Sequence, residues 1–321
     1  MTLTDVIQKM RMLIRVKHLA YSTEKSYVHW VGRYAAFARG LNPDMTHEAK
    51  LERFLTHLAK SDVSASTQNQ AFNAIIFLYR EVLGIELSKV NGLRAKKYQH
   101  VRIAPTIEQT GRILAGVKDT GGYPLGLIVR LLYGCGLRLN EALDLRLKDV
   151  LPDEGRLVIR AAKGCKDRVV PLPPSLLEPI RKQIEIAKAL WKRDSVDRLP
   201  VALPHLLSYK YPAAKYEQRW YWLFPAAGTC RHPRTGEIVR WRVHPTSVQS
   251  AVRSSALAAV VPGVSPHCLR HAYATHAIEA GNSIRDVQEV LGHAHLDTTM
   301  GYIHADSCRV RSPLERLVGV A

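Results

Sequence analysis

The sequence predicts a mainly α protein with a small β component: a helical N-terminal domain followed by a larger α+β domain. Three observations carry this expectation. Apolar residues recur three or four apart through the first hundred residues. Two β-rich runs, "RLVIRAAKGCKDRVVPLP" and "CRHPRTGEIVRWRVH", interrupt the helical pattern of the remainder. Between the two parts lies "SKVNGLRAKKYQHVRIAP", which holds five Lys or Arg and no acid. The expected boundaries are 1–88 for the helical domain, 89–105 for a basic linker and 106–321 for the second domain, with an aromatic and basic insertion at about 199–245.

The elements follow in order. "YSTEKSYVHWVGRYAAFARG" opens on a Ser22/Thr23 cap signal and stops at Gly40. In the next helix Thr46 is placed to cap, and Leu51, Phe54, Leu55 and Leu58 share a face. Ala71, Ile75, Leu78 and Val82 line a third, closed by Gly84. Past the linker, Thr106 caps "IEQTGRILAG". "YPLGLIVRLLYGCGLRLNEALDLRLKDV" reads as a buried helix, a Gly-rich turn and a second helix. A hairpin around Lys163 follows, then the helix "SLLEPIRKQIEIAKALWKR", a second hairpin around Pro233–Gly236, and a helical stretch from near Pro266.

Bulk properties narrow the function classes. The chain has 321 residues, 46% of them hydrophobic, so a substantial core is available. A net charge of +18, from 46 basic against 28 acidic residues, favours a polyanionic partner. No apolar run approaches the roughly 20 residues of a spanning helix. Charges at Asp5, Lys9, Arg11, Arg15 and Lys17 break up any signal-peptide core, so a cytosolic protein is expected. Five scattered cysteines without a C-x-x-C argue against a disulfide framework or a cysteine zinc site.

Four clusters could carry chemistry. "GCGLRLNEALDL" places Arg138 after a double-Gly turn, and "AAKGCKDRVVPL" places Lys163 near a hairpin tip. "HCLRHAYATH" puts His267 and Arg270 on one helical face. "LGHAHLDTTMGYIH" carries His293 and Tyr302. Singly, each has an ordinary structural explanation. Together they supply two guanidiniums able to clamp the non-bridging oxygens of one phosphate, and a lysine able to protonate a departing alkoxide. A phenol, with an ordinary pKa near 10, becomes a good nucleophile beside such cations. No nucleotide-binding loop is present, and the set suits attack of tyrosine on a phosphodiester without metal or ATP.

In this order the four clusters resemble the arginine, lysine-hairpin, H-x-x-R and L-G-H/tyrosine boxes of the tyrosine recombinase (integrase) superfamily. The resemblance spans residues 106 to 306, and the helical N-terminal part resembles that family's core-binding, SAM-like domain. It implies a two-domain clamp on DNA and a covalent 3′-phosphotyrosyl intermediate formed by Tyr302. It also implies phosphate binding by Arg138 and Arg270, proton donation to the 5′-oxygen by Lys163, and assistance from His267 and His293. No cofactor is implied. The implied setting is the bacterial cytoplasm, acting on the nucleoid. One departure is Ala162, where many relatives have Gly.

The segment "LPHLLSYKYPAAKYEQRWYWLFP" with "RHPRTGEIVRW" resembles the insertion that marks integron integrases, implying gene-cassette recombination at hairpin-folded single strands through extrahelical bases. Interleaved aromatics and cations suit unpaired bases. The candidate contacts are Lys210, Lys215, Arg219, Trp220, His232, Pro233, Trp241 and His244, with Lys89, Arg94, Lys96 and Lys97 along the linker. The tryptophans also read as a local core, and the linker as a merely solvated connection. Rival functions are another tyrosine recombinase acting in chromosome-dimer resolution or in phage or transposon integration, a type IB topoisomerase-like nicking enzyme, a non-catalytic DNA-binding regulator, and a zinc protein built on His267/His271 and His293/His295. The apolar tail residues Val310, Leu314, Leu317, Val318 and Val320 fit docking into a neighbouring protomer of a homotetramer on two DNA sites.

Overall fold

A computed structural model describes residues 2–88, 104–160, 167–204 and 207–292. The chain forms two compact units, Met1–Val101 and Arg102–Ala321.

The first unit is helical. It comprises α1 (Leu3–Val16), α2 (Tyr21–Ala38), α3 (His47–Lys60) and α4 (Ala65–Phe77), with α4 running into a π-helical turn, Leu78–Leu83. Thr46 caps α3 by accepting the Ala49 N–H at 3.2 Å. Gly84 closes the π turn at φ +70°. Met10, Ile14, Val31, Leu51, Leu58, Ile75 and Val82 are all but inaccessible, and burying a side chain of that size stabilises by roughly 1.5–3 kcal/mol. The cap of α2 differs from the sequence expectation. Its N-cap is Ala20, without a side-chain bond, and Ser22 and Thr23 lie inside the first turn. The reason is tertiary: Glu24, in that same turn, is buried against Arg15 of α1 at 3.0 Å, and a helix beginning at Tyr21 delivers it there.

The second unit contains α5 (Ile107–Gly116), α6 (Leu125–Gly134) and the short α7 (Leu139–Leu143). An antiparallel sheet follows: β1 (Val150–Leu151), β2 (Arg156–Ile159) and β3 (Arg168–Pro171). The β2–β3 register pairs Arg156 with Pro171 and Ile159 with Arg168. The strand β1 had no signal of its own, being two residues long. Helix α8 (Pro174–Val196) leads to the short α9 (Leu207–Lys210), and the hairpin β4 (Pro225–Arg231)–β5 (Ile238–Arg242) comes next. Helices α10 (Pro245–Ala258), α11 (Pro266–Glu279) and α12 (Ile284–Leu291) complete the described part. Ile128, Leu132, Leu137, Leu143, Leu157, Val170, Phe224, Val248 and Leu269 build one core beneath these elements. Among the described residues no helix is long and apolar enough to cross a membrane.

Candidate active site

The site grows from one carboxylate. Glu141 sits in the first turn of α7 and accepts the Arg138 backbone N–H at 2.9 Å, closing that turn. The Arg138 guanidinium returns to the same side chain at 2.6 Å. From β3, Arg168 adds a two-pronged pair at 3.0 and 2.7 Å. From α11, Arg270 brings its terminal nitrogen within 3.6 Å. Three guanidiniums from three elements therefore share one carboxylate. Burial by itself pushes the Glu141 carboxyl up, but hydrogen bonds from Arg168 and Arg138 outweigh it and hold it at about 2.

Backbone carbonyls aim two of the arginines. Arg270, only 1% exposed, donates to Gly136 O at 2.7 Å and to Leu291 O at 2.5 Å. Arg168 donates to Val290 O at 2.7 Å. The end of α12, capped by Gly292 in the left-handed region, is thereby pinned to both. Gly136 is required at its position: φ is +59°, and a Cβ there would lie 2.6 Å from the Tyr273 ring. Only glycine lets the chain turn there and present its carbonyl to Arg270. Arg138 is the outermost of the three, with 29% of its side chain exposed.

His267 is exposed on the first turn of α11, one turn before Arg270, and its ring lies 4.4 Å from that of His271. The structure thus brings Arg138 and Arg270 together and places His267 on the same helix as Arg270. Lys163, His293 and Tyr302 lie outside the described residues, as do Lys89, Arg94, Lys96 and Lys97. Sequence reasoning did not single out Glu141 or Arg168. Their signals were present: Glu141 follows Arg138 by three, as a capping partner does, and Arg168 stands on the hairpin beyond Lys163.

The chain matches the phage integrase family over residues 106–309 and that family's N-terminal SAM-like domain over residues 6–89. It belongs to the phage integrase family of tyrosine recombinases. An integrase/recombinase of Escherichia coli is 36% identical, the match covering 97% of this chain and 94% of the relative. The tyrosine recombinase XerA of Thermococcus kodakarensis is 30% identical, over 97% and 95%. The fold is similar to that of a lambda integrase dimer bound to a core site, at a TM-score of 0.62 and 16% identity over 94% and 95% of the two chains. It is also similar to the Tn1549 transposon integrase in complex with circular-intermediate DNA, at 0.63 and 15% over 97% and 99%.

In this recombinase the segment at about 199–245 builds a second, small core together with the end of α8. Tyr221, Trp222, Val201 and Val239 are buried, and Trp191, Trp220 and Trp241 pack against them. The tryptophans divide accordingly. Trp222 is interior, with the Arg146 guanidinium 3.1 Å from its ring centroid. Trp220 and Trp241 are half-buried, and Lys148 Nζ stands 4.4 Å from the Trp220 ring. His232 lies 5.3 Å from the Trp241 ring. Its Nδ1 accepts the Thr235 N–H at 3.1 Å, and burial lowers its pKa, so the neutral ring carries its proton on Nε2. Pro233 is exposed beside it. His244 caps α10 through Thr246. Lys215 pairs with Glu237 and Arg219 with Glu217, while Lys210 is exposed beside Tyr211.

Proposed function

We propose that this tyrosine recombinase is of the integron-integrase type, exchanging gene cassettes at folded single-stranded and double-stranded sites. The proposed organisation is a DNA-binding helical domain at 1–88, a basic linker at 89–105 and a catalytic domain at 106–321. In the proposed reaction the Tyr302 phenol gives up its proton to the histidine pair His267/His293 as its oxygen attacks phosphorus, forming a 3′-phosphotyrosyl ester. The bond to the 5′-oxygen breaks, and that oxygen takes a proton from Lys163. Arg138 and Arg270 hold the non-bridging oxygens, and His267 and His293 assist. The ester conserves the energy of the broken bond, so religation to a partner strand needs neither metal nor ATP.

The convergence of Arg138 and Arg270 on Glu141 carries the catalytic reading, because it holds two phosphate-binding cations at one point before substrate arrives. The inserted tryptophan cluster, with Trp220 and Trp241 only half-buried, supports the integron-type specificity. A homotetramer assembled through exchange of the C-terminal tail is part of the same proposal.

The test incubates the protein with an end-labelled, nicked hairpin carrying extrahelical bases and resolves products on a denaturing gel. A covalent adduct is expected with wild type and none with Tyr302→Phe, which should still bind. An adduct surviving in Tyr302→Phe sinks the assignment of the nucleophile. Equal capture of the hairpin and of a fully paired duplex of the same sequence, without the extrahelical bases, sinks the integron-type specificity and favours a recombinase acting on duplex sites alone.

A further inference from the structure

The insertion is laced into the support of the catalytic arginines. Immediately after α7, residues 145–147 pair with residues 221–223: Leu147 N donates to Tyr221 O at 3.0 Å and Leu223 N to Leu145 O at 2.9 Å. Between them, buried Arg146 donates to the carbonyls of Trp220 and Ala202, both at 2.7 Å, and stacks on Trp222. From β5, Arg242 then reaches α7 itself. Its Nε lies 2.5 Å from the Asp144 carboxylate, and a terminal nitrogen donates to the Asn140 side-chain oxygen at 3.1 Å.

Asp144 is the C-cap of α7, and Asn140 stands in its first turn, two residues after Arg138. A helix of five residues has little hydrogen bonding of its own to fix its direction. One guanidinium, on a side chain 13% exposed, spans both of its ends. Glu141, on the same helix, meets Arg138, Arg168 and Arg270. A rotation of α7 therefore displaces Arg138 and the carboxylate on which Arg168 and Arg270 converge.

We propose that Arg242 is a positioning residue, through which the inserted hairpin sets the orientation of α7 and hence of the phosphate-binding arginines. Arg242 does not touch the reacting atoms. It makes cleavage depend on how the insertion is held, so that DNA engaging the insertion and DNA positioned for attack are coupled through β5. The inference rests on Arg138 being a phosphate-binding residue.

The test uses full-length protein and three readouts: single-turnover adduct formation at saturating hairpin DNA, equilibrium binding of that DNA, and arginine Nε–H resonances of DNA-free protein, with the Arg138 signal identified by its loss in Arg138→Lys. Arg242→Ala is expected to bind DNA within about twofold of wild type and to form adduct at least ~10-fold more slowly. It should also shift the Arg138 resonance. Arg242→Lys, which keeps the charge but loses the fork, should recover an intermediate rate. If Arg242→Ala does not fold, the pair Asn140→Ala and Asp144→Ala removes the same two bonds from the exposed side. Wild-type adduct rates with an unshifted Arg138 signal in that pair overturn the proposal, as does a loss of rate fully explained by lost binding. The resonance readout needs no DNA, so a wild type that captures no hairpin sinks the functional reading above while leaving this inference decided separately.

Discussion

Among the described residues of the catalytic unit, two buried arginine–carboxylate clusters are built in opposite ways. Between β5 and α8, Arg240 forms a two-pronged pair with Asp194 at 2.7 and 2.6 Å, and Tyr221 donates to the same carboxylate at 2.5 Å. The remaining Arg240 nitrogen is occupied by the carbonyls of Ala226 and Ala227. One cation meets one anion. At α7, three cations meet one anion, and Arg138 stands partly open to solvent. The first arrangement is complete and holds β5 against α8. The second has surplus positive charge that an incoming phosphate can neutralise. The tyrosines follow the same logic. Burial, then the bond to Asp194, pushes the Tyr221 phenol up and keeps its proton in place. A nucleophilic tyrosine needs the opposite neighbourhood, and the surplus-cation cluster offers one.

The contrast is broken most directly by deleting one arginine from each cluster. Arg138→Ala should lower covalent capture by about 10³-fold, with Tm within ~2 °C of wild type because relief of cation repulsion offsets the lost contact. Arg240→Ala should do the reverse, costing about 3–5 kcal/mol in urea unfolding by stranding buried Asp194. A catalytically silent but strongly destabilised Arg138→Ala would erase the distinction.

Acid sharpens the comparison at Glu141. Its folded-state carboxyl lies at about 2, below the ordinary value of 4.5. The stability it contributes, on the order of 3 kcal/mol, is fully present above the ordinary value and is lost as pH falls through the folded one. The stability gap between wild type and Glu141→Gln should therefore close between pH 5 and pH 2 in urea titrations. A gap independent of pH would mean that the arginines do not hold the carboxylate. The smallest effect is anion binding: millimolar sulfate should raise wild-type Tm by a few degrees through ligand linkage, and Arg138→Ala should respond less. Equal responses would place the anion elsewhere.

Local signals made much of the molecule readable. The Thr46 and Thr106 caps, the buried face of Leu51, Phe54, Leu55 and Leu58, and both hairpins follow from neighbours a few residues apart. The motif boxes placed Arg138 and Arg270 in one site because their residue types suit a phosphate. Hidden from the sequence were the features made by distant partners. Arg270 meets Gly136 across 134 residues and Arg168 meets Val290 across 122. The start of α2 was misplaced because an ion pair between Glu24 and Arg15 of the preceding helix outweighed a local hydroxyl signal. The tryptophans of the insertion could be read as platform or as core, and burial assigns Trp222 to the interior.

The sequence alone therefore determined which side chains are available: an excess of cations, a helical frame, two hairpins and a set of residues suited to phosphodiester chemistry. The sharing of those charges came from the folded chain: three arginines on Glu141, one on Asp194, and Arg242 bracing α7 from β5. Composition and periodicity act within a few residues, whereas the balance of a charge cluster depends on groups brought together from tens of residues apart or more.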